Sequence, residues 1–231
     1  MSDLDFEVLA SEDGPLGMIW LRRRALPSRP DTRITEIMIN HELLMSSQNT
    51  ASERALASRS LERHAGSELR VLIGGLGLGY TAFEALRSPR VAQVEVVELL
   101  PPVVDWMRHG QVPLSPELNR DARFKVRQGD VYARLARAPR WHYDLILIDV
   151  DHSPDERLGP DNASFYTPEG LERAKAHLAE GGVLGVWSYA ESSPFADALR
   201  KVFAQVEIEA VHFDNALTAE HESNWLFIAH D

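Results

Sequence analysis

The 231-residue chain is 44% hydrophobic, enough to bury one substantial α/β core and a small appendage. Its 35 acids against 24 Lys and Arg give a formal charge of -11, which argues against a nucleic-acid backbone as partner and is compatible with a small cationic substrate. It has no cysteine, which excludes disulfides, thiolate metal sites and cysteine nucleophiles and agrees with an intracellular setting.

The acidic start MSDLDFEVLASEDG lacks the basic-then-apolar order of a signal peptide, and no long apolar run follows, so a cytoplasmic protein without a membrane partner is expected. Gly17 to Leu21 and Arg33 to Ile39 read as two short strands separated by the polar stretch LPSRPDT, a small β-hairpin. Asn40 to Ser47 and Ser52 to His64 show helical spacing, with Ser52 as a cap and Gly66 as the stop. Residues 1–66 are therefore expected to form a short hairpin-and-helix segment ahead of a main domain over 67–231.

That domain opens with Val71, Leu72 and Ile73, an unalternating apolar run suited to a strand buried on both faces of a parallel sheet. Gly74, Gly75, Gly77 and Gly79 follow, where a sharp turn lets a ligand approach the backbone beside the unpaired N–H groups of a helix starting near Tyr80. Val91 to Val97 is the next strand, ending in Glu98, whose carboxylate can accept both hydroxyl protons of a ribose. Strand, glycine turn, helix, strand and acid make the first βαβ unit of a Rossmann-like α/β domain. The dinucleotide spacing G-x-G-x-x-G fails, because Tyr80 stands at the third glycine position; G-x-G-x-G at 75–79 instead suits an S-adenosyl donor. NAD and a merely structural glycine turn are the alternatives.

Pro101 and Pro102 then start a helix through Met107, and Phe124 to Val126 is a third strand closed by Gln128-Gly129-Asp130. Asp130 is placed either to accept from the adenine amine or to cap the next helix, or both. Tyr143 to Asp149 is a fourth strand ending in a carboxylate at the edge where open α/β sheets bind ligands. The loop after it carries Asp151, His152, Asp155 and Glu156, a functional loop or a solvated one. Thr167-Pro168-Glu169 opens a helix that Gly181-Gly182 ends. Val183 to Trp187 is a fifth strand, Ser193-Pro194 begins a helix to Phe203, and Val206 to Phe213 and Trp225 to Ala229 read as closing strands. The histidines show no metal-ligand spacing, so no metal is expected, and His177 reads as a cation near a helix C-terminus.

Together these residues resemble the spermidine synthase family of aminopropyltransferases, relatives of class I methyltransferases. MINHELL (38–44) is similar to that family's Tyr-His-Glu segment, VLIGGLGLG to its glycine turn, VEVVEL to its ribose strand, YDLILIDVD to its catalytic strand, and FYTPEGLERAKAHLAEGGVLGVWS (165–188) to its Leu-Tyr-Thr helix and following strand. The resemblance implies a class I methyltransferase fold with a short N-terminal β-hairpin extension. It further implies His41 at the donor's amino-acid end, Gly74, Gly75, Gly77, Gly79, Glu98, Asp130 and Asp149 around the donor, and Asp149, Asp151, His152 and Tyr166 around the chemistry. Its members are commonly homodimers.

The departures bear on the reaction. The family's usual aspartate at position 77 is absent, the second aspartate three residues after Asp149 is His152, and the fifth-strand glutamine is Trp187. An acid at 77 would attract the ammonium of decarboxylated S-adenosylmethionine and repel the carboxylate of S-adenosylmethionine itself, so its loss removes that discrimination. The preferred reading is an S-adenosylmethionine-dependent methyltransferase acting on a small amine-type acceptor. The alternatives are an aminopropyltransferase using the decarboxylated donor and putrescine, and a non-catalytic S-adenosyl-binding module.

Overall fold

The computed structural model describes residues 6–156, 160–215 and 220–231, and two sheets carry them. The first is antiparallel in the order β1-β2-β3-β4, from Phe6–Gly14 (β1), Gly17–Leu26 (β2), Arg29–Ile39 (β3) and Glu42–Ser46 (β4). It is larger than the hairpin expected from the sequence. The LPSRPDT stretch does not separate two short strands: β2 and β3 run through it and turn only at Pro27 and Ser28. The segment read as a helix over 40–47 is a two-residue turn followed by β4. Asn40 takes a left-handed φ of 54°, which Asn tolerates, and its Oδ1 accepts from the Met18 N–H at 3.2 Å, fixing the turn.

Helix α1 (Ala51–Glu62) leads into the main sheet, whose order is β10-β11-β9-β8-β5-β6-β7. Its strands are Leu69–Gly74 (β5), Val91–Glu98 (β6), Phe124–Gln128 (β7), Tyr143–Ile148 (β8), Leu178–Ser188 (β9), Gln205–Asn215 (β10) and Glu220–His230 (β11). β6, β7, β8 and β9 join β5 through parallel pairings, while β11 and β10 add on antiparallel. Both faces of the centre are buried, as the unalternating strands imply: Val71 and Ile73 enter one apolar cluster and Leu72 the other, and Leu145 and Leu147 divide from Ile146 and Ile148 in the same way.

The remaining helices are Tyr80–Arg87 (α2), Pro101–Arg108 (α3), Ser115–Leu118 (α4), Val131–Leu135 (α5), Pro168–Lys175 (α6) and Ser193–Val202 (α7). Their starts are chemically marked. Asp130 Oδ1 accepts from the Tyr132 and Ala133 N–H groups, Thr167 from Gly170 and Ser192 from Phe195, so the capping half of the Asp130 reading holds. Ser52 is not a cap: α1 starts after Thr50, and the Ser52 hydroxyl is buried against Glu53 and Asn224. The helix after Thr167 ends at Ala176 rather than at Gly181-Gly182, which lie within β9. His177 is buried just beyond that helix, with Nε2 2.9 Å from the Arg137 carbonyl.

Apolar packing and polar contacts both join the small sheet to the rest of the chain. Trp106 Nε1 on α3 donates to Glu12 on β1 at 2.8 Å, and Gln48 donates to Asn215 on β10 at 3.3 Å. Within the small sheet, Glu36 on β3 is 1% exposed and accepts from Arg22 Nε at 2.7 Å and Arg24 Nη2 at 2.7 Å on β2. Burial alone pushes its carboxyl up, but the hydrogen bonds and charges of Arg24 and Arg22 outweigh it and hold Glu36 below the usual value. A depressed carboxyl stabilises the fold fully above its unfolded value of 4.5 and loses that contribution as pH falls through the lower folded value. Glu36→Gln should therefore lower stability by about 1–3 kcal/mol at pH 7, the range for a buried group stripped of its partner. Urea unfolding at pH 7 and again in mild acid checks it: the difference between wild type and variant should shrink on acidification, and an equal gap at both pH values would remove the charge from the account.

Candidate active site

The carboxyl ends of β5, β6, β7 and β8 lie at one edge, and the residues following them line a cleft of about 1060 Å³ that opens to solvent. Two backbone features build its floor. Gly75 has φ 90°, and a Cβ there would come within 2.0 Å of the Asp149 carbonyl oxygen, so only glycine lets β5 and β8 close at this point. The Asp149 N–H donates to the Gly74 carbonyl at 2.9 Å and the Gly75 N–H to Val97 at 2.9 Å, tying three strand ends together.

Glu98 stands at the base of this turn. Its Oε2 accepts from the Leu76 N–H at 2.7 Å and its Oε1 from the Leu100 N–H at 2.8 Å. Burial pushes the carboxyl up, and these backbone donors act against that. Glu98 is thus locked in one orientation, with lone pairs remaining on each oxygen for further donors. Asp130 lines the cleft as well as capping α5.

Gly77 has φ 47°, and a Cβ on it would lie 2.4 Å from Met45 Sδ. The thioether of a β4 residue thus fills the place a side chain at 77 would take, and it also receives the Leu78 N–H at 3.1 Å. Leu16, Leu44 and Met45 bring the small sheet into the cleft as an apolar wall. His41, expected at the donor, is instead exposed in the β3–β4 turn and does not line the cleft; the neighbouring β4 side chains do. Gly74 and Gly79 also stand outside the lining: Gly74 ends β5, and Gly79 at φ 90° precedes α2.

The acids after β8 divide by environment. Asp149 Oδ2 accepts from the Thr81 hydroxyl on α2 at 2.7 Å; burial raises its carboxyl above the usual range and the Thr81 bond opposes this. Asp151 is 2% exposed and spoken for: Tyr132 Oη and Tyr166 Oη reach its Oδ2 at 2.8 and 2.9 Å, and Asn162 Nδ2 reaches its Oδ1 at 2.8 Å. Burial, then the neighbouring Tyr166 and Asp151, keep the Tyr132 phenol protonated far above its ordinary value. Tyr166 thus holds Asp151 rather than lining the cleft itself. His152 does line it, and its carbonyl accepts the Tyr189 N–H at 2.9 Å. Residues 157–159 of this loop lie outside the described residues.

Sequence reasoning missed several members of the cleft. Tyr132 and Asn162 are invisible without the fold because they meet Asp151 from α5 and from a 3-10 turn at Pro160–Ser164. Trp187, read as a departure, does line the cleft from β9. Glu53 reads in sequence as a routine acid in the first turn of α1, yet it is 9% exposed and faces the cleft beside Asp149. Among the described residues, no group of three or more His, Asp or Glu is arranged to hold a metal ion, and no helix is long and apolar enough to cross a membrane.

No family model matches the chain. Putrescine N-methyltransferase 4 of Nicotiana tabacum is 37% identical over 115 residues, 50% of this chain and 28% of that protein. Polyamine aminopropyltransferase 2 of Streptomyces coelicolor is 35% identical over 123 residues, 52% of this chain and 22% of that protein, so the match spans less than a third of either curated relative. Among solved structures, a spermidine synthase from Thermotoga maritima superposes with a TM-score of 0.74 at 16% identity, covering 96% of this chain and 72% of that one. The chain therefore has the α/β, Rossmann-like fold of the spermidine synthases and shares sequence over about half its length with transferases that, by their names, act on polyamines.

Proposed function

We propose that the chain is an S-adenosylmethionine-dependent transferase that methylates a small amine. The observation that carries this reading is the junction of Gly75, Gly77 and Glu98: a backbone cradle with no room for side chains beside a buried, preset carboxylate. An adenosyl group fits that arrangement, because Glu98 keeps acceptor capacity for ribose hydroxyls and Asp130, which lines the same cleft, would accept from the adenine amine. The donor would supply a carbon already attached to a positively charged sulfur, a good leaving group. The protein's own work is then to hold the partners, exclude water and take a proton.

A protonated amine is no nucleophile. Asp149, at the mouth of a buried strand with its carboxyl raised, is suited to hold an ammonium and accept its proton near neutral pH. The choice of methyl over aminopropyl transfer is supported by the wall at position 77. Where an aspartate would single out the decarboxylated donor, this chain presents Met45 Sδ against a bare glycine, a surface without charge to repel a carboxylate. The aminopropyltransferase reading is favoured by the likeness to the Streptomyces coelicolor protein.

Calorimetric titration separates the readings. Wild type should bind S-adenosylmethionine at least as tightly as its decarboxylated form; a strong preference for the latter would point to aminopropyl transfer. Removal of Met45 and insertion of an acid together (Met45→Ala with Gly77→Asp) should move the preference toward the decarboxylated donor, since removing the thioether clears the collision and Asp bears the strain of φ 47° better than most side chains.

Glu98→Gln should weaken binding of either donor by about 1–3 kcal/mol, through loss of a charged acceptor. Glutamine is the milder replacement, because it keeps the volume and one acceptor oxygen and sets its NH2 against only one of the Leu76 and Leu100 N–H groups, whereas alanine strands both; thermal unfolding of the variant separates loss of fold from loss of binding. An unchanged dissociation constant would take Glu98 out of the donor site.

Asp149→Asn should keep donor affinity and lower turnover by roughly two to four orders of magnitude, the range for a positioned base. In the wild type, the rate should rise with pH through the raised carboxyl value, because only the ionised form accepts a proton. Wild-type turnover in the variant would leave Asp149 as a strand-end acid.

A further inference from the structure

The cleft holds two carboxylates, Glu53 buried and Asp149 half-buried, that no cation pairs with among the described residues. Asp149 has Oδ2 on Thr81. Glu53, nine-tenths buried, has Oε2 on the Ser52 hydroxyl at 2.9 Å, and Ser52 in turn accepts from Asn224 on β11 at 2.8 Å. A neutral hydroxyl holds each carboxylate, Glu53 has its own backbone N–H as a further donor, and among the described residues no other side chain donates to Asp149 or Glu53.

The neighbouring cation forms no ion pair with them, although its charge opposes the rise of Glu53. Arg54 Nη1 pairs with Glu84 at 3.1 Å, and its guanidinium lies over the rings of Tyr80 at 5.0 Å and Phe83 at 5.4 Å. The other polar groups facing the pair are the Tyr80 phenol from α2 and His152 from the loop after β8, both in the cleft lining. Asp151 is already bound by two phenols and an amide. Buried acids of like charge and without a cation are costly to leave ionised, and a fold that keeps two of them at the mouth of a cleft leaves room for a cation from outside.

We propose that Glu53 and Asp149 work as one unit, which grips the protonated amine of the acceptor between their carboxylates and removes one of its protons. This rests on the amine-transferase reading and adds a second catalytic residue to it. One N–H bond of the ammonium breaks, its electron pair stays on nitrogen as the attacking lone pair, and one O–H bond forms on a carboxylate. The pair passes from two negative charges to one, with the proton placed beside both carboxylates, an arrangement favoured because two close anions resist being ionised together. The substrate class that fits is a primary or secondary amine, protonated on arrival; an alcohol brings no charge to relieve the pair. In agreement, Glu53 is raised by burial and then by the charge of Asp149, and Asp149 by burial.

Protein with ¹³C-labelled Asp and Glu side-chain carboxyls, titrated by NMR with and without putrescine or n-butylamine, tests this without any turnover. Expected are two carboxyls in the wild type that titrate above the ordinary carboxylate range, both moved by saturating amine. In Asp149→Asn one should vanish and the Glu53 signal fall by about one pH unit or more, as a like charge is removed. Asp149→Glu should restore the two-step pattern. The proposal is overturned if Glu53 titrates as an ordinary acid, if Asp149→Asn leaves the Glu53 signal in place, or if neither amine moves either signal. Calorimetry with S-adenosylmethionine on the same samples keeps the two ideas apart. Failure of the donor to bind while amine still moves both carboxyls ends the transferase reading and leaves the pair standing, whereas normal donor binding with a Glu53 signal that Asp149→Asn does not move ends the pair alone.

Discussion

The fold turns on a single place where two backbones meet without a side chain between them. At Gly75 the chain leaves β5 with φ 90° and passes so close to the Asp149 carbonyl that any Cβ would collide with it. That contact sets the spacing of β5 against β8, and through the Gly75 N–H to Val97 it sets β6 as well. The three carboxylates that give the cleft its character are placed from here: Glu98 at the end of β6, Asp149 just past β8, and Asp151 two residues further on. A few tenths of an ångström added at Gly75 would be felt at all of them, since a close-packed interior transmits strain.

Around that junction the protein uses one chemical group in different ways. Glu98 is fixed by backbone N–H donors, Asp151 by phenols and an amide, Asp149 by one hydroxyl, and Glu53 by a hydroxyl and its own backbone N–H. The number and kind of donors decide what each can still do. A carboxylate with both oxygens engaged serves as a positioned acceptor or a brace, whereas one held by a single neutral hydroxyl keeps an oxygen and a charge available. The net acidity of the chain therefore says little about the site; the local count of donors says much more.

What the sequence revealed follows the range of the interactions. The β5 to β6 unit was legible because its signals are local: an unalternating apolar run, glycines at fixed offsets and an acid at the strand end all lie within thirty residues. The caps at Asp130 and Thr167 were legible for the same reason. The small sheet was not, because the Asn40-His41 turn lacks the glycine that marks most tight hairpins, and an apolar run such as MINHELLM fits a short helix as well as a strand. Glu53 escaped notice because its surroundings include Asp149 and, through Ser52, Asn224, which lie more than ninety residues away, and nothing in the first turn of a helix announces such neighbours.

Met45 and Gly77 belong to different sheets, yet one lies in the volume the other leaves empty. The two positions behave as a single site for inheritance. A mutation that gives residue 77 a side chain meets the thioether, and one that shortens residue 45 opens a void beside a glycine and strands the Leu78 N–H. Either step alone is a loss, so a lineage passing between an acidic and an apolar wall here must change both residues close together or cross an intermediate that folds less well.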